Sequence, residues 1–320
     1  MTTPISMTVR TVEDVLALVP VVLGFAPTDS VVMLTFGAAR SFHARCDLPA
    51  SADDLPGAAA VLVEPAVTHR VQHVILVVYS EDRWLVTEAA WAMWGAFERA
   101  GVGVLEVIGT DGRRWFPALG ERPDVPVAGV SYDVSAHPFR AEAVADGRVL
   151  LGSREALRDE LATDPVRTGR VVAALAGLTG DPPRAEERAV EAAWADGVVR
   201  DHVVGDRAGD IPSDADVARL LRGLLDSTVR DAAASSLTRW TARGHVAFWT
   251  DMVRRTPVPM LAAPAALLAL AAWQAGQGAL AWCALDRSAE ADETYPLAAL
   301  VARVLEQALE PEAWDGVCEG

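Results

Sequence analysis

Two strand-like apolar runs on either side of a helical segment constrain the fold of this chain more than any other feature. Val74–Tyr79 and Gly103–Gly109 are rich in β-branched residues and have the length of strands that are buried on both faces. Residues 81–100, between them, carry apolar side chains at helical spacing. A strand, a helix and a second strand in this order predict a parallel pair joined by a right-handed crossover.

The segment before this unit predicts a helix and a β-hairpin. Thr11 resembles a helix N-cap and Gly24 a helix stop, and Pro20 is expected to kink the helix or fray its end. Ser30–Phe36 is a β-branched run typical of a strand, and Ser41–Leu48 alternates enough to form its return strand. The hairpin and the parallel pair together predict a mixed sheet.

Three further segments complete the first half of the chain. Residues 52–69 follow a capping serine and predict a helix. Residues 111–130 are rich in Gly, Pro and Arg and are expected to form an irregular excursion, whereas a short strand is expected near 129–134.

The β pattern disappears after residue 137. We therefore predict an α/β domain over residues 1–150, with a mixed sheet, followed by an all-α, tetratricopeptide-like domain over residues 151–320. The predicted helices span 138–146, 153–162, 166–177, 184–204, 214–242, 245–254, 262–275, 279–291 and 296–309.

The comparison with tetratricopeptide repeats depends on one helical pair near the end of the chain. Ala265–Ala275 and Ala279–Ala291 are rich in Ala and Leu and are joined by Gly276-Gln277-Gly278, which predicts a tight helical hairpin. A solenoid needs about three repeats for stability, so one unit is weak support for a repeat protein. The positions that fit the repeat consensus are Leu268, Ala269, Ala281 and Leu285.

Composition excludes several classes of chemistry. The formal net charge is −16, and all 28 basic residues are Arg. Without Lys there is no Schiff-base lysine and no P-loop or kinase-type lysine for phosphate. Scattered Arg among more numerous carboxylates also argues against binding to nucleic acid, which needs clustered cations.

The cysteines and apolar runs suggest a cytoplasmic protein without a membrane anchor. Cys46, Cys283 and Cys318 are far apart and show no metal-ligand spacing, so we expect reduced thiols and no zinc site. The apolar run 15–25 follows two acidic residues and lacks the features of a signal peptide. The run 258–273 is shorter than the roughly 20 residues that a bilayer needs and is expected to be a buried helix.

The candidate ligand site lies where the two parallel strands end. Ligands of open α/β sheets bind beyond the carboxyl ends of such strands. Here Ser80 and Asp82 follow the first strand, and Asp111, Arg113 and Arg114 follow the second. The two carboxylates could hold Mg²⁺ and the guanidinium groups an anion. The alternative is purely structural, with Ser80 and Asp82 as helix caps and Asp111 in a turn.

Tryptophan and one further Arg supply the remaining candidates. Trp240 and Trp249 flank a predicted helix turn and would form a partner surface if both are exposed. Arg154 opposes the dipole at a helix start and is a candidate for contacting an anion or a domain interface. By contrast, core packing is expected for the tryptophans of the helix 81–100, which are Trp84, Trp91 and Trp94.

Five stretches of the chain carry a resemblance to a known family, namely 19–27 (Val-Pro-Val-Val-Leu-Gly-Phe-Ala-Pro), 29–34, Arg114-Trp115, 152–157 and 267–285. Through these stretches the chain resembles a largely actinobacterial family, the domain of unknown function (DUF) family 4192. Members of this family often carry a Cys-Cys-Pro-type stretch shortly after an Arg-Trp pair, but residues 115–130 here contain no Cys. The family has no established activity, so the resemblance implies architecture and a class of host only.

Two functions remain open from the sequence. The first is an interaction or adaptor protein that binds a protein partner through its helical region. The second is an enzyme or small-ligand sensor with its site at the carboxyl edge of the parallel strands. The sequence indicates no particular cofactor for either function.

Overall fold

The chain divides into two compact units, Met1–Arg154 and Glu155–Gly320. The structure is a computed structural model that describes residues 8–37, 42–145, 150–178, 185–309 and 311, with the side chains of residues 185 and 186 excluded. Cys318 and the residues at positions 41, 146 and 184 of the predicted segments lie outside the described residues.

A six-stranded mixed sheet forms the centre of the first unit, in the order β2-β1-β3-β4-β5-β6. The β3–β4 pair is parallel and α3 (Arg83–Arg99) lies between the two strands in the chain, which confirms the predicted β-α-β unit, whereas the other neighbours are antiparallel. The strands are β1 (Ser30–Phe36), β2 (His43–Asp47), β3 (His73–Tyr79), β4 (Gly103–Thr110), β5 (Arg114–Pro117) and β6 (Val130–Ser131).

Helices cover both faces of this sheet. α1 (Val12–Leu23) and α4 (Pro138–Ala145) share an apolar core with one face. α2 (Leu55–Thr68), which follows a short 3-10 turn, and α3 (Arg83–Arg99) share a core with the other face. Burial on both faces explains why β3 reads as a continuous apolar run.

The ends of α1 follow from its sequence. The Thr11 side chain accepts a hydrogen bond from the backbone of Asp14, and the Asp14 carboxylate accepts one from the backbone of Thr11, so the two residues form a capping box. Gly24 ends the helix in the left-handed conformation, with φ of 83°. The helix continues for three residues past Pro20, so the predicted early fraying is wrong.

The predicted irregular excursion over residues 111–130 is wrong at its start, because β5 lies there. β5 pairs antiparallel with β4, and Phe116 lies directly opposite Gly109. A Cβ atom at Gly109 would come within 2.4 Å of the Phe116 ring, so the glycine makes room for the aromatic side chain. The Gly and Pro residues around this short strand obscure its pattern in the sequence.

The second unit is helical among its described residues. Residues 214–242 form two helices and not the single predicted one, because the chain turns at Leu224–Leu225 and Asp226 caps a new helix. The helices are α5 (Arg154–Asp159), α6 (Pro165–Gly177), α7 (Ala185–Val203), α8 (Asp214–Gly223), α9 (Ser227–Ala233), α10 (Ala242–Arg255), α11 (Ala262–Gln274), α12 (Gly278–Ala289) and α13 (Pro296–Glu306).

The Ala-rich pair α11 and α12 forms the predicted helical hairpin. Nearly every residue of α11 is buried, because α10, α12 and α13 all pack against it. Gly276, with φ of 72°, ends the helix and allows the chain to reverse. Among the described helices, none has both the length and the apolar character needed to cross a bilayer.

Candidate functional site

The oxygens at the end of β3 act as caps for α3. Asp82 Oδ1 accepts hydrogen bonds from the backbone N–H groups of Trp84 at 2.9 Å and Leu85 at 3.2 Å. Ser80 Oγ accepts one from the backbone of Asp82 at 3.2 Å. Both side chains therefore perform the structural role that the sequence analysis offered as the alternative.

At the end of β4, Asp111 organises the turn into β5. Its Oδ1 accepts hydrogen bonds from the backbone N–H groups of Arg113 at 2.8 Å and Arg114 at 2.6 Å. Burial raises the pKa of Asp111, but these two donors and the nearby Arg83 guanidinium outweigh it and hold the pKa below its usual value. The Asp111 carboxylate is therefore ionised at neutral pH, and backbone N–H groups already donate hydrogen bonds to it.

The two arginines of this edge differ. Arg114 is the first residue of β5 and not a loop residue, and its Nη1 donates to the carbonyl oxygen of Gly129 at 2.9 Å. Arg113 is exposed, and no described residue forms an ion pair or side-chain hydrogen bond with its guanidinium. The predicted residues thus lie at one edge of the sheet, but most of their polar groups are used internally.

No metal centre is evident at this edge. Within the residues that the structure describes, no group of three or more His, Cys, Asp or Glu side chains is arranged to hold a metal ion. Asp82 and Asp111 are committed to a helix cap and a turn, which leaves little for a cation to bind.

A second location on the first unit is a cavity of about 440 Å³ on the α1 side of the sheet. It lies between the first turn of α1, strands β3 to β6 and the chain between β5 and β6. Its volume falls within the usual range for small-molecule sites. Seven lining side chains are apolar or aromatic, namely Val9, Val12, Val15, Ile75, Trp115, Val125 and Val130, and the others are Arg10, Thr11, Glu13, Glu106, Arg122 and Asp124.

Trp115, one of the residues that line this cavity, carries a buried polar group without a hydrogen-bond partner. The side chain is only 7% exposed, yet its indole N–H has no hydrogen-bond acceptor among the described residues. Indole can donate but not accept, and buried indole N–H groups normally have a partner. An unmade hydrogen bond of this kind costs about 1–3 kcal/mol in the free energy of folding.

The charges around the cavity are partly neutralised within the chain. Arg122 Nη1 lies 2.8 Å from Glu106 Oε1, and its Nη2 lies 3.5 Å from Asp124 Oδ2. The Arg122 guanidinium also lies 5.9 Å from the centre of the Trp115 ring. The Arg10 side chain, on the opposite wall, has no ion pair with any residue in the described ranges.

The wall formed by α1 is fixed by a cluster of hydrogen bonds. The backbone N–H groups of Arg10 and Thr11 donate to Asp14 Oδ2, and His137 Nε2 lies 3.2 Å from Asp14 Oδ1. The backbone N–H of Arg10 is the main cause of the lowered pKa of Asp14, with further donors overcoming the opposing effect of burial. Asp14 thereby connects the start of α1 to the chain that leads into α4.

The sheet register explains how Trp115 comes to face α1. Residues that pair across strands point to the same face of a sheet. Trp115 pairs with Thr110 of β4, Thr110 pairs with Tyr79 of β3, and Tyr79 belongs to the core on the α1 side. The neighbouring polar side chain on this face, Thr110, has a hydrogen-bond partner, because its Oγ1 lies 3.0 Å from the Tyr132 hydroxyl.

The remaining predicted candidates divide between surface and interior. Arg154 Nη1 lies 3.6 Å from Asp47 Oδ2, so a carboxylate of the same chain neutralises its charge. Trp240 is 79% exposed, but Trp249 is completely buried in the helical core. The predicted exposed pair is therefore wrong, since a buried indole cannot contribute to a partner surface.

The cavity is not predictable from the sequence, because residues 111–130 are rich in Gly, Pro and Arg and predict an irregular excursion. The segment 114–117, which contains Trp115, is a strand in the structure. Its burial shows no strand-like alternation, because Trp115 and Phe116 are both buried, so the segment offers no local signal of a strand. Arg10, Glu106 and Arg122 meet at the cavity only through the tertiary fold.

Comparison with known proteins identifies the family but no better characterised relative. A search of curated proteins and a search of solved structures found no match to this chain. The family model described as "Domain of unknown function (DUF4192)" matches residues 13–312, which include α1, the whole sheet and the helical unit. The chain therefore belongs to the DUF4192 family.

Proposed function

We propose that this protein binds a small molecule, as a sensor or carrier, in the cavity beneath the first turn of α1. The proposed ligand is a monocarboxylate with a branched aliphatic or aromatic body. The single observation that carries the proposal is the buried, unpartnered indole N–H of Trp115, a residue that lines a cavity of about 440 Å³. This is the sensor hypothesis of the sequence analysis, moved from the carboxyl edge to the α1 side of the sheet.

The unmade hydrogen bond supports a ligand that brings an acceptor. Stability selection removes unpaired buried donors unless something compensates them, and ligand binding is one such compensation. A ligand oxygen that accepts from Trp115 would recover a contribution of about 0.5–1.5 kcal/mol, or more if the oxygen is charged. The donor would then select for oxygens at the buried end of the ligand.

The walls support the rest of the ligand chemistry. Six of the thirteen lining residues have branched aliphatic side chains, which favour an apolar body for part of the ligand. Arg10 offers a cation, and the first turn of any helix leaves backbone N–H groups that face outwards. Arg122 is already paired with Glu106 and Asp124, so Arg10, beside the acidic Glu13, is the lining cation that remains for a single ligand carboxylate.

The proposal is tested with a panel of branched aliphatic and aromatic monocarboxylates and the corresponding primary amides. Compounds that raise Tm in differential scanning fluorimetry are then measured by isothermal titration calorimetry. We expect at least one carboxylate to bind, and to bind more tightly than its amide. A panel in which no compound raises Tm would contradict the proposal.

An isosteric substitution then tests the role of the indole N–H. Replacing Trp115 by benzothienylalanine keeps the shape of the ring system and removes the N–H, so we expect affinity to fall by roughly 2- to 12-fold, which corresponds to about 0.5–1.5 kcal/mol. The same replacement at the exposed Trp240 is the matched control and should leave affinity unchanged. Equal affinities for all three proteins would exclude Trp115 as a ligand donor.

An adaptor function through the helical unit is the second candidate. Trp240 supports it, because a side chain that is 79% exposed, with the Arg239 guanidinium 4.4 Å from its ring centre, has the amphipathic character of interface anchors. The test is loss of a binding partner in Trp240→Ser with unchanged Tm. If Trp240→Ser retains every binding partner of wild type, Trp240 no longer supports an adaptor function.

We further propose a cytoplasmic setting in an actinobacterial host, without binding to nucleic acid or membrane. Cys46 and Cys283 are thiols, as expected in a reducing compartment, and the Lys-free composition fits a GC-rich genome. The net charge of −16 would repel phosphate backbones and anionic lipids. Fractionation of the native host with an antibody to the chain tests this setting.

A further inference from the structure

Three tryptophans on α3 form an exposed surface that the sequence analysis assigned to the core. Trp84, Trp91 and Trp94 are 61%, 52% and 38% exposed. We call these three residues the Trp face. Core packing was the wrong prediction because the same helix has a second apolar stripe, which includes Val86, Met93 and Phe97, and this stripe contacts the sheet.

Helical spacing places the Trp face on one side of α3. Trp84 and Trp91 are seven residues apart, so they lie almost in line along the helix axis, and Glu98 continues that line. Trp94 lies beside Trp91, with ring centres 5.7 Å apart and planes at 89°. This edge-to-face arrangement holds both rings at the surface without burying either of them.

Large exposed indoles are costly for a protein that has no use for them. Contiguous apolar patches on soluble proteins mark interaction sites, and Trp is the residue most enriched at interface hot spots. The helix α2, which packs against α3, also exposes two apolar side chains, Val61 and Val67. A Cβ added at Gly95, on the same side of α3 as Trp91, would meet no described atom within 4 Å, so the centre of the helix is open to a close approach.

The charges beside the Trp face identify the class of partner. Glu88 and Glu98 on α3 are exposed together with the cation Arg99, and none of the three forms an ion pair with a residue in the described ranges; α2 adds the exposed Glu64, so carboxylates outnumber cations among these residues. Carboxylates interleaved with indoles suit Lys and Arg, which can pair with a carboxylate and also lie over an aromatic ring. A partner with cations beside an apolar stripe would satisfy both features.

The same charges argue against two other occupants. A second copy of this chain would bring like-charged carboxylates together at a net charge of −16 per copy. An anionic lipid surface would also be repelled. We infer that the Trp face is a docking site for a basic amphipathic helix of a partner protein, which lays its apolar stripe on Trp84, Trp91 and Trp94 and its Lys or Arg side chains against Glu88 and Glu98.

The test uses the full chain and a defined probe. The probe is a fluorescein-labelled 18-residue helical peptide of Leu and Lys with one apolar and one basic face, measured by fluorescence anisotropy. The variants are the double substitution Trp91→Ser/Trp94→Ser, the double substitution Glu88→Gln/Glu98→Gln, and the control Trp240→Ser, which removes a more exposed indole elsewhere. Circular dichroism and Tm verify that each variant is folded.

We expect binding to weaken at least tenfold in the Trp91/Trp94 variant and severalfold in the Glu88/Glu98 variant, with no more than a twofold change in Trp240→Ser. Added salt should weaken binding to wild type more than to the Glu88/Glu98 variant. Equal binding to all four proteins would overturn the inference, because it would mean that overall charge attracts the peptide. A dimer in light scattering that the Trp91/Trp94 variant abolishes would also overturn it in favour of self-association.

Discussion

Trp249 donates its indole hydrogen bond to Nδ1 of His245, one turn earlier on α10, at 3.3 Å. Because indole can only donate, Nδ1 of His245 is the unprotonated ring nitrogen. Nε2 then carries the proton and faces the Ser236 hydroxyl at 3.1 Å. The Ser236–His245 pair resembles a catalytic dyad in its distance, but this tautomer cannot take a proton from the serine, so the pair is structural.

This buried histidine should make the helical unit sensitive to acid. Burial lowers the pKa of His245 to about 4, against a smaller opposite effect of Ser236. In the unfolded chain the pKa returns to about 6.5, so the unfolded state binds more protons between those values. The free energy of unfolding should therefore fall by about 3 kcal/mol as the pH drops from about 6.5 to about 4, and level off below.

The measurement is urea denaturation across that range for wild type and His245→Gln, since an amide can accept from Trp249 and donate to Ser236 without titrating. His245→Gln should lose less stability than wild type over the range. His43 in β2 also has its pKa lowered to about 4 by burial, so His43→Gln serves as a comparison in the first unit. If the free energy of unfolding of His245→Gln and of wild type changed identically with pH, the lowered pKa of His245 would not be the cause of the acid sensitivity.

A buried guanidinium holds three helices of the second unit together. Arg255 on α10 is 2% exposed, and its Nη1 donates to Pro212 O at 2.8 Å and to Asp251 Oδ2 at 2.9 Å. Its Nη2 also donates to Asp214, and Arg167 of α6 pairs with Asp251. Arg255→Met should cost about 3–5 kcal/mol in the free energy of unfolding, because it leaves two carboxylates partly unpaired.

The adjacent Arg254 provides the matched control for this substitution. Its guanidinium lies 4.0 Å from Glu160 and is more exposed than that of Arg255. Arg254→Met should therefore change stability by about 1 kcal/mol or less. Chemical denaturation measures the free energy of unfolding of both variants. Equal decreases in the two variants would show that the buried ion pairs of Arg255 contribute no more to stability than the exposed pair of Arg254.

The register of the β4–β5 pair makes Gly109 intolerant of a side chain. A Cβ there would lie 2.4 Å from Phe116 and 2.8 Å from Val86. Gly109→Ala should cost about 1–3 kcal/mol, the usual penalty for overpacking. The double variant Gly109→Ala/Phe116→Leu should recover part of that loss, and a double variant as unstable as the sum of its single changes would argue against this contact.

The sequence predicted elements whose signals are local. The apolar runs at β3 and β4, the capping residue Thr11 and the glycines that end α1 and α11 all specify structure through their immediate neighbours. The sequence-based predictions are wrong at positions whose structure is determined by tertiary contacts. The four residues of β5 form a strand because they pair with β4. Trp249 is buried and Trp240 is exposed, although their local sequence patterns do not distinguish them. The cavity is lined by side chains from segments that are far apart in the sequence.

The candidate site was harder to predict for the same reason. Ser80, Asp82 and Asp111 do lie at the carboxyl edge of the parallel strands, as the rule for α/β sheets implies. One carboxylate oxygen of each aspartate and the Ser80 hydroxyl accept hydrogen bonds from backbone N–H groups, a fact that only coordinates reveal. Conversely, the unmade hydrogen bond of Trp115 has no sequence signature, since it is defined by the absence of an acceptor nearby.

The unpartnered donor also makes a prediction in the absence of any ligand. Benzothienylalanine at position 115 removes a buried N–H that has no partner, so the unliganded protein should become more stable, by up to about 1–3 kcal/mol. The same replacement at position 249 removes a donor that His245 uses and should be destabilising. Opposite signs at the two positions in thermal denaturation are expected, and a loss of stability at both would mean that Trp115 already has an acceptor.

The most direct test of the ligand site is nuclear magnetic resonance of the indole groups. The protein is labelled with ¹⁵N at tryptophan, and the Trp115 indole signal is assigned by its absence in Trp115→Phe. We predict that the carboxylate with the highest affinity in the calorimetric screen shifts this signal downfield, as a new hydrogen bond requires, and leaves the signals of Trp240 and Trp249 in place. A Trp115 signal that is already downfield in the unliganded protein and does not move when ligand saturates the protein would contradict the proposed site.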